Sequence, residues 1–362
     1  MFDLSQLSIS FLAGTLGQGG AERQLFYTLK ALKQGGAKLR LFCLTRGEFW
    51  EGPLLDLGIP ITWIGRHESR LARLAQLMIE LRRNMPLIIQ SQHFYTNIYA
   101  ATAARVFDLH EIGALRNDCS SEVESIGRIM GSVSLRMPRF IAANSRAAIQ
   151  RAIEMGLTGS RLHLLRNIVD TDYFAPRLRA ESQTVRIAAI GRLVKQKRFD
   201  KLLSMLARIK AQSHQPFKVL IAGDGPLRGQ LESQAARLGL HDAVDFKGAV
   251  ADSREIYHEA DLFVLTSDWE GLPNVVLEAM ACGLPVVATR VGDLKDLIRD
   301  GKTGFLADPE DEAKWVAALL RLLHNPSLRK ELGNRSRQHV VARHSLQQLP
   351  RRLQNLYEAV LT

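Results

Sequence analysis

The sequence predicts two successive α/β domains, each a parallel sheet covered on both faces by helices, and three observations carry that prediction. The chain has 362 residues, about twice the usual size of one domain, which excludes a single small stapled module. Short apolar runs alternate with stretches of helical periodicity, the pattern of parallel strands joined by crossover helices. The same rhythm restarts near Thr184, after a polar stretch over 176–184 that reads as a linker.

Taken in order, the apolar run 7–13 is the first strand. It ends in the glycine-dense segment Gly14-Thr15-Leu16-Gly17-Gln18-Gly19-Gly20. Leu25, Leu29 and Leu32 then recur at helical spacing until Gly35-Gly36 stops the helix. Strands follow at 39–44, 61–64 and 87–90, with an amphipathic helix over 71–81 before the last of these. Further strands end just before Arg116 and Asn144, and 163–165 closes this half. In the second half, strands at 185–190, 218–222, 262–266 and 285–288 alternate with helices at 199–210, 228–238 and 275–282. Gly283 is placed as a helix stop. Helices over 312–323, near 328–339 and near 346–361 complete the chain.

Composition narrows the function classes. Hydrophobic residues make up 46% and charged residues 23%, with 27 Gly and 12 Pro, which excludes disordered and collagen-like chains. Cys43, Cys119 and Cys282 lie far apart without paired spacing, so neither a disulfide framework nor a cysteine zinc site is expected, and a reducing cytoplasm fits. A net charge of +11, spread over both halves, favours anionic lipid, polyanions or phosphorylated substrates. The basic residues stand beside no aromatic-rich module, so nucleic acid is not an expected partner. No apolar stretch approaches the roughly 18–20 residues of a spanning helix, and no signal peptide is read.

The sharpest chemistry lies in Asp268-Trp269-Glu270-Gly271-Leu272-Pro273-Asn274-Val275, followed by Glu278. One carboxylate, Glu270, is expected at a strand end, and Glu278 in the first turn of the next helix. Between them, 271–274 would offer backbone N–H groups and a positive helix end to an anion, while the carboxylates accept hydroxyl hydrogen bonds. A diphosphate joining two sugars fits that mixture. Taken alone, Glu278 could merely complement the helix dipole and Glu270 cap a turn.

The glycine loop at 14–20 is not a dinucleotide fingerprint, because counting from Gly17 and Gly19 puts Glu22 where the third glycine should fall. Gly19 and Gly20 instead allow close backbone approach to a donor diphosphate. His93 follows the strand 87–90, at the carboxyl-end position where α/β sheets place their sites, and can orient or hydrogen-bond a sugar. Arg116 is a candidate phosphate or acceptor contact. Asn144 and Ser145 read first as a helix cap. Arg70, Arg73, Arg82 and Arg83 flank the helix over 71–81, which covers the sheet and could also rest on anionic lipid.

These motifs together resemble the retaining glycosyltransferases of sequence family 4, also described as glycosyl transferases group 1, and the likeness spans most of the chain. The acidic segment resembles the family's Glu-x7-Glu signature. Gly19-Gly20-Ala21-Glu22-Arg23 resembles its first-loop signature, and Asn167-Ile168-Val169-Asp170 with Phe174 the phrase closing its first domain. Gly191-Arg192-Leu193 with Lys197 resembles the opening of its second, and Ala222-Gly223-Asp224-Gly225-Pro226 matches the family as well. Two departures stand out: Gly292-Asp293 with Asp296 replaces a common Gly-Gly pair and Glu, and Asn167-Ile168 replaces Asn-Gly.

The resemblance implies a GT-B fold with an acceptor-binding domain over 1–172, a nucleotide-sugar-binding domain over 173–345, and a closing helix over 346–362 crossing back to the first. It implies Arg192 and Lys197 on the donor diphosphate, Glu278 on the ribose and Glu270 on the donor sugar, with backbone amides of 271–275 on the phosphates. Two cations can offset the charge of a leaving diphosphate, so no metal or other cofactor is expected. The implied partners are a nucleotide-sugar donor and a lipid-linked or saccharide acceptor, with attachment to the inner face of the plasma membrane. A sugar-nucleotide epimerase, a phosphorylase and a non-catalytic sensor are the rival readings, which fold cannot separate.

Overall fold

The computed structural model describes residues 3–67, 69–178 and 182–362. Residues 179–181 of the expected linker therefore lie outside the described residues. The chain forms two compact units, one of 1–167 with 347–362 and the other of 168–346.

Unit 1 holds seven parallel strands: β1 (Ser8–Ala13), β2 (Lys38–Cys43), β3 (Ile61–Trp63), β4 (Ile88–Ser91), β5 (His110–Leu115), β6 (Phe140–Ala143) and β7 (Leu162–Leu164). Their order is β3-β2-β1-β4-β5-β6-β7. β1 is buried almost throughout because helices cover both faces of the sheet, which is why it reads as an unbroken apolar run. The helix Gly20–Gln34 buries Leu25, Leu29 and Leu32, while Asn97–Phe107 docks through Ala100, Ala101, Ala103 and Ala104. The closing helix Leu349–Leu361 packs on Gly20–Gln34, and its Tyr357 hydroxyl donates to Gln90 Oε1 at 2.7 Å.

Unit 2 holds six parallel strands: β8 (Val185–Ile190), β9 (Phe217–Ala222), β10 (Val244–Gly248), β11 (Leu262–Leu265), β12 (Val286–Thr289) and β13 (Gly304–Ala307), in the order β10-β9-β8-β11-β12-β13. In both sheets the order reverses beside the first strand, between β1 and β4 and between β8 and β11. Doubly wound sheets bind ligands beyond the carboxyl ends of strands at such reversals.

The division falls between Asn167 and Ile168, five residues before the expected 172/173 boundary. Residues 168–175 belong to unit 2 because that unit holds them: Val169 N–H donates to His344 O at 2.8 Å, Phe174 packs edge-on against Tyr257, and His258 Nε2 donates to Ala175 O at 2.9 Å. The three cysteines are free and buried, and burial pushes the Cys119 and Cys282 thiols up to about 12. Among the described residues no helix is long and apolar enough to cross a membrane.

Candidate functional site

In unit 2 the loops leaving β8 and β11 are tied together at the chain reversal. After β8 the chain passes Gly191 and Arg192 into a short 3₁₀ turn, Lys195–Lys197, and Arg198 adopts a φ of +50° before the helix Phe199–Gln212 begins. Asp268 N–H donates to Gln196 O at 2.9 Å, and Gln196 Nε2 to Trp269 O at 2.7 Å. The Thr266 hydroxyl donates to the carbonyls of Lys197 and Arg198 at 3.0 and 3.1 Å. Arg198 completes the tie by pairing with Asp200 at 3.0 Å and Asp268 at 2.9 Å, and these bonds hold its guanidinium above its ordinary pKa.

That tie places Lys197 Nζ 2.5 Å from Glu270 Oε1, which also accepts from Ser267 Oγ at 2.7 Å. Both members of the pair are largely buried. Glu270 lies in the loop five residues beyond β11, not at the strand end expected from the sequence, because β11 stops at Leu265. The following helix runs Asn274–Ala281, so Glu278 sits in its second turn and not the first. This weakens the helix-dipole explanation for Glu278, whose effect is confined to the terminal turn. Its carboxylate is instead buried, with Oε2 accepting from Tyr257 OH at 3.0 Å and Ser253 Oγ at 3.3 Å.

Gly271 and Leu272 are buried, and Pro273 precedes the helix without a side-chain cap on its first amides. Asn274 and Val275 open that helix, and Val275 O accepts from Tyr257 OH at 3.1 Å. Gly292-Asp293, the departure from the family pattern, supports the same loop. Gly292 has φ +53°, a Cβ there would stand 2.3 Å from Glu270 O, and Asp293 N–H donates to Gly271 O at 3.0 Å. Gly223 packs as closely on the other side, since a Cβ would come 2.0 Å from Gly191 O. Arg192 is exposed and pairs with nothing among the described residues. The structure thus joins Lys197 to Glu270, with no bond from the Arg192 side chain to either.

In unit 1 the loop after β1 is pinned by His93. Gly14 N–H donates to His93 Nδ1 at 3.0 Å, which makes the ring neutral with its proton on Nε2, and Nε2 donates to Glu22 Oε1 at 2.8 Å. Both ring nitrogens therefore have partners within unit 1. Tyr95 stacks on His93 at 5.5 Å, and its ring fills the space a Cβ on Gly14 would need. Gly19 caps the helix that starts at Gly20, and a Cβ there would lie 2.1 Å from Glu22 Oε2.

Glu48 holds the same loop through Thr15 Oγ1 at 2.8 Å and the Leu16 amide at 2.5 Å. Burial raises its carboxyl, but bonds from Thr45, Leu16 and Thr15 outweigh that and keep it below the ordinary range. Arg116 follows β5 in a partly buried position, where desolvation lowers its guanidinium to about 10. Ser145 caps the helix Arg146–Glu154, whereas Asn144 Nδ2 donates to Arg116 O at 2.6 Å.

Sequence reasoning missed the roles of Glu22, Glu48, Arg198, Ser253 and Tyr257. Glu22 stands inside the segment Gly19-Gly20-Ala21-Glu22-Arg23 and Arg198 directly follows Lys197; the other three carry no local signal.

Comparison with known proteins assigns a family model to each half of the chain, the two meeting at 172–173. Residues 18–173 match the family model described as Glycosyltransferase Family 4, and 172–339 that described as Glycosyl transferases group 1. The N-acetyl-alpha-D-glucosaminyl L-malate synthase of Bacillus anthracis is 30% identical over 182 residues, 50% of this chain and 47% of that protein. The GalNAc-alpha-(1->4)-GalNAc-alpha-(1->3)-diNAcBac-PP-undecaprenol alpha-1,4-N-acetyl-D-galactosaminyltransferase of Campylobacter jejuni is 34% identical over 150 residues, 41% of each chain. The matched stretches thus span less than half the length of these relatives. The crystal structure of Anabaena Alr3699/HepE in complex with UDP-glucose superposes with a TM-score of 0.86 at 20% identity, covering 98% of this chain and all of that one.

Proposed function

Because the chain belongs to the family 4 glycosyltransferases and has their GT-B fold, we propose that it moves a sugar from a nucleoside diphosphate to a hydroxyl acceptor, with retention of anomeric configuration. The observation that carries this reading is the Lys197–Glu270 pair, at 2.5 Å, held at the chain reversal of unit 2 by the ties between the β8 and β11 loops.

Unit 2 takes the donor. Charge on the diphosphate grows as the anomeric C–O bond breaks, and Lys197 with Arg192 answers it at the carboxyl edge of β8. Glu270 accepts from the sugar hydroxyls, and Glu278 from the ribose, its carboxylate already fixed by Tyr257 and Ser253. The amides of 271–275 cradle the phosphates. The acceptor oxygen bonds to the anomeric carbon on the face the diphosphate leaves, and the acceptor proton passes to the departing phosphate oxygen. These cations replace a divalent metal, and activity persists in chelator.

Unit 1 takes the acceptor, a saccharide or lipid-linked precursor. The named substrate of the Campylobacter relative, an undecaprenol diphosphate, supports the lipid-linked choice. Gly19 and Gly20 serve the donor phosphates, and His93 acts by fixing Gly14 and Glu22. The protein works peripherally on the cytoplasmic face of the membrane. In support, the helix Arg70–Arg83 exposes Leu71 at 77% and Ile79 at 54% beside Arg70, Arg82 and Arg83.

Incubation with labelled sugar nucleotides tests the reading, beginning with UDP-glucose because a structural neighbour was solved with it. Label passing to a hydroxyl acceptor as the retained anomer is the expected result. Label passing to a C2 epimer or to phosphate, or staying on the donor, establishes instead the epimerase, the phosphorylase or the sensor.

A further inference from the structure

At the carboxyl end of β5 a cation stands without a salt bridge among the described residues. Arg116 Nε is buried and has no hydrogen-bond partner, and among the described residues no carboxylate lies within ion-pair distance of the guanidinium. Glu122 is the carboxylate whose charge acts on it: it accepts from the Arg116 backbone N–H and not from the guanidinium, and burial pushes its carboxyl up to about 7. Arginine seldom enters a protein interior unpaired, because desolvation costs more than packing returns.

Two further orphaned atoms lie on the same face of the sheet. Gln90 is fully buried, with Oε1 held by the Tyr357 hydroxyl and Nε2 unpartnered; Asn144 is 2% exposed, with Nδ2 bonded to Arg116 O and Oδ1 unpartnered. Strand register puts all three on one face. Gln90 is opposite Ile112 and Ala114 opposite Ala142, so by the two-residue alternation Arg116 and Asn144 continue the face that carries Gln90. Tyr357 lies on that face too, since it bonds Gln90 and its hydroxyl acts electrostatically on Arg116. The cluster therefore offers a positive fork, a second donor and one acceptor, the complement of an oxyanion with a neighbouring hydroxyl.

We propose that this end of the unit 1 sheet binds an oxyanion of the acceptor, with Arg116 as its charge partner, Gln90 Nε2 as a second donor and Asn144 Oδ1 receiving an adjacent hydroxyl. The proposal rests on reading unit 1 as the acceptor unit, and it narrows the acceptor to a hydroxylated phosphate ester or carboxylate, free or borne on a lipid headgroup.

Thermal melting with sn-glycerol 3-phosphate, with neutral glycerol, and with UDP as the donor probe separates this from the function reading. Glycerol 3-phosphate raises the melting temperature of the wild type by a few degrees and that of Lys197→Ala equally, which excludes binding at the donor clamp; glycerol does nothing. In Arg116→Met and Arg116→Gln that rise is lost while the UDP response stays. Ligand-free Arg116→Met melts at or above the wild type, because it loses a buried unpaired charge, whereas an arginine that merely braced the closing helix would leave a less stable protein when removed.

A second arm uses sedimentation with phosphatidylglycerol vesicles: capture of wild type but not of Arg116→Met, without a response to glycerol 3-phosphate, identifies the headgroup as the source. Equal responses of wild type and Arg116→Met to both probes, no response of the wild type to either, or a lower ligand-free melt of Arg116→Met overturns the subsite and leaves the glycosyltransferase reading intact. A glycerol 3-phosphate response without any UDP response overturns that reading and leaves the anion site.

Discussion

Lys197 has two partners to answer: Glu270, with which it pairs in the structure, and, in the proposed reaction, the leaving diphosphate. Because the second interaction strengthens as the C–O bond breaks, Lys197→Ala is expected to lower turnover more than it weakens donor binding. The loss should be about 2–4 kcal/mol of transition-state stabilisation, the scale of removing one oxyanion donor. Lys195 is exposed two residues earlier in the same turn, and Lys195→Ala should be nearly silent. Steady-state kinetics of the two variants decides the assignment, and the opposite ranking would move the site.

Glu122 makes a different residue-scale prediction. Burial raises its carboxyl from 4.5 to about 7, so between those values the folded protein keeps a proton the unfolded chain has released. Stability contributed by that proton is complete below pH 4.5, falls as pH rises toward 7, and changes no further above it. Glu122→Gln should therefore melt above the wild type at pH 8, by an amount on the order of 3 kcal/mol, with the gap closing as pH falls to about 4.

At the scale of elements, the loop carrying Glu270 keeps its shape because Gly292 lets another backbone approach it. Gly292→Ala combines a left-handed φ of +53° with a Cβ 2.3 Å from Glu270 O, and a carbonyl cannot rotate out of the way as a side chain can. A destabilisation of about 1–3 kcal/mol is expected, together with weaker binding of a nucleotide sugar, measured by denaturant melts and calorimetry. Unchanged binding would detach the loop from the donor.

The same scale shows what the sequence made legible. β1, β8 and β11 announce themselves because burial on both faces demands apolar runs, and the two glycine stops, Gly35 and Gly283, end their helices as read. β10 was missed because Val244–Gly248 is an edge strand, buried only in alternation and interrupted by Asp245 and Lys247. β13 is four residues long and starts at a glycine. The helix Asn97–Phe107 docks through alanines, whose small side chains let it sit close to the sheet without the leucine period that marks other helices. Within the site, Glu270, Glu278 and Lys197 were legible from motif spacing. His93 with Glu22, and Arg198 with Asp268, join residues about 70 positions apart, and the partner in such a pair leaves no trace in its own neighbourhood.

For the molecule as a whole, the order of the chain and the order of folding units differ: residues 347–362 complete a sheet whose other elements end at Leu164. The closing helix buries Leu349, Leu353, Leu356, Tyr357 and Val360 in unit 1. At roughly 1.5–3 kcal/mol for each large apolar side chain, that burial is of order 10 kcal/mol, as large as the stability of a typical domain. Tyr357 also satisfies Gln90 Oε1, so its removal leaves a buried amide with neither end bonded. Deleting 349–362 should therefore abolish the cooperative melting of unit 1. Unit 2 owns every element of the Lys197–Glu270 site and gains no core residue from this helix, so it should keep a transition that UDP raises. Scanning calorimetry of the truncated and full chains, with and without UDP, measures both halves of this expectation. Loss of the UDP-sensitive transition along with the other would mean that the two units melt as one, and survival of both transitions would mean that the helix adds far less to unit 1 than its burial implies.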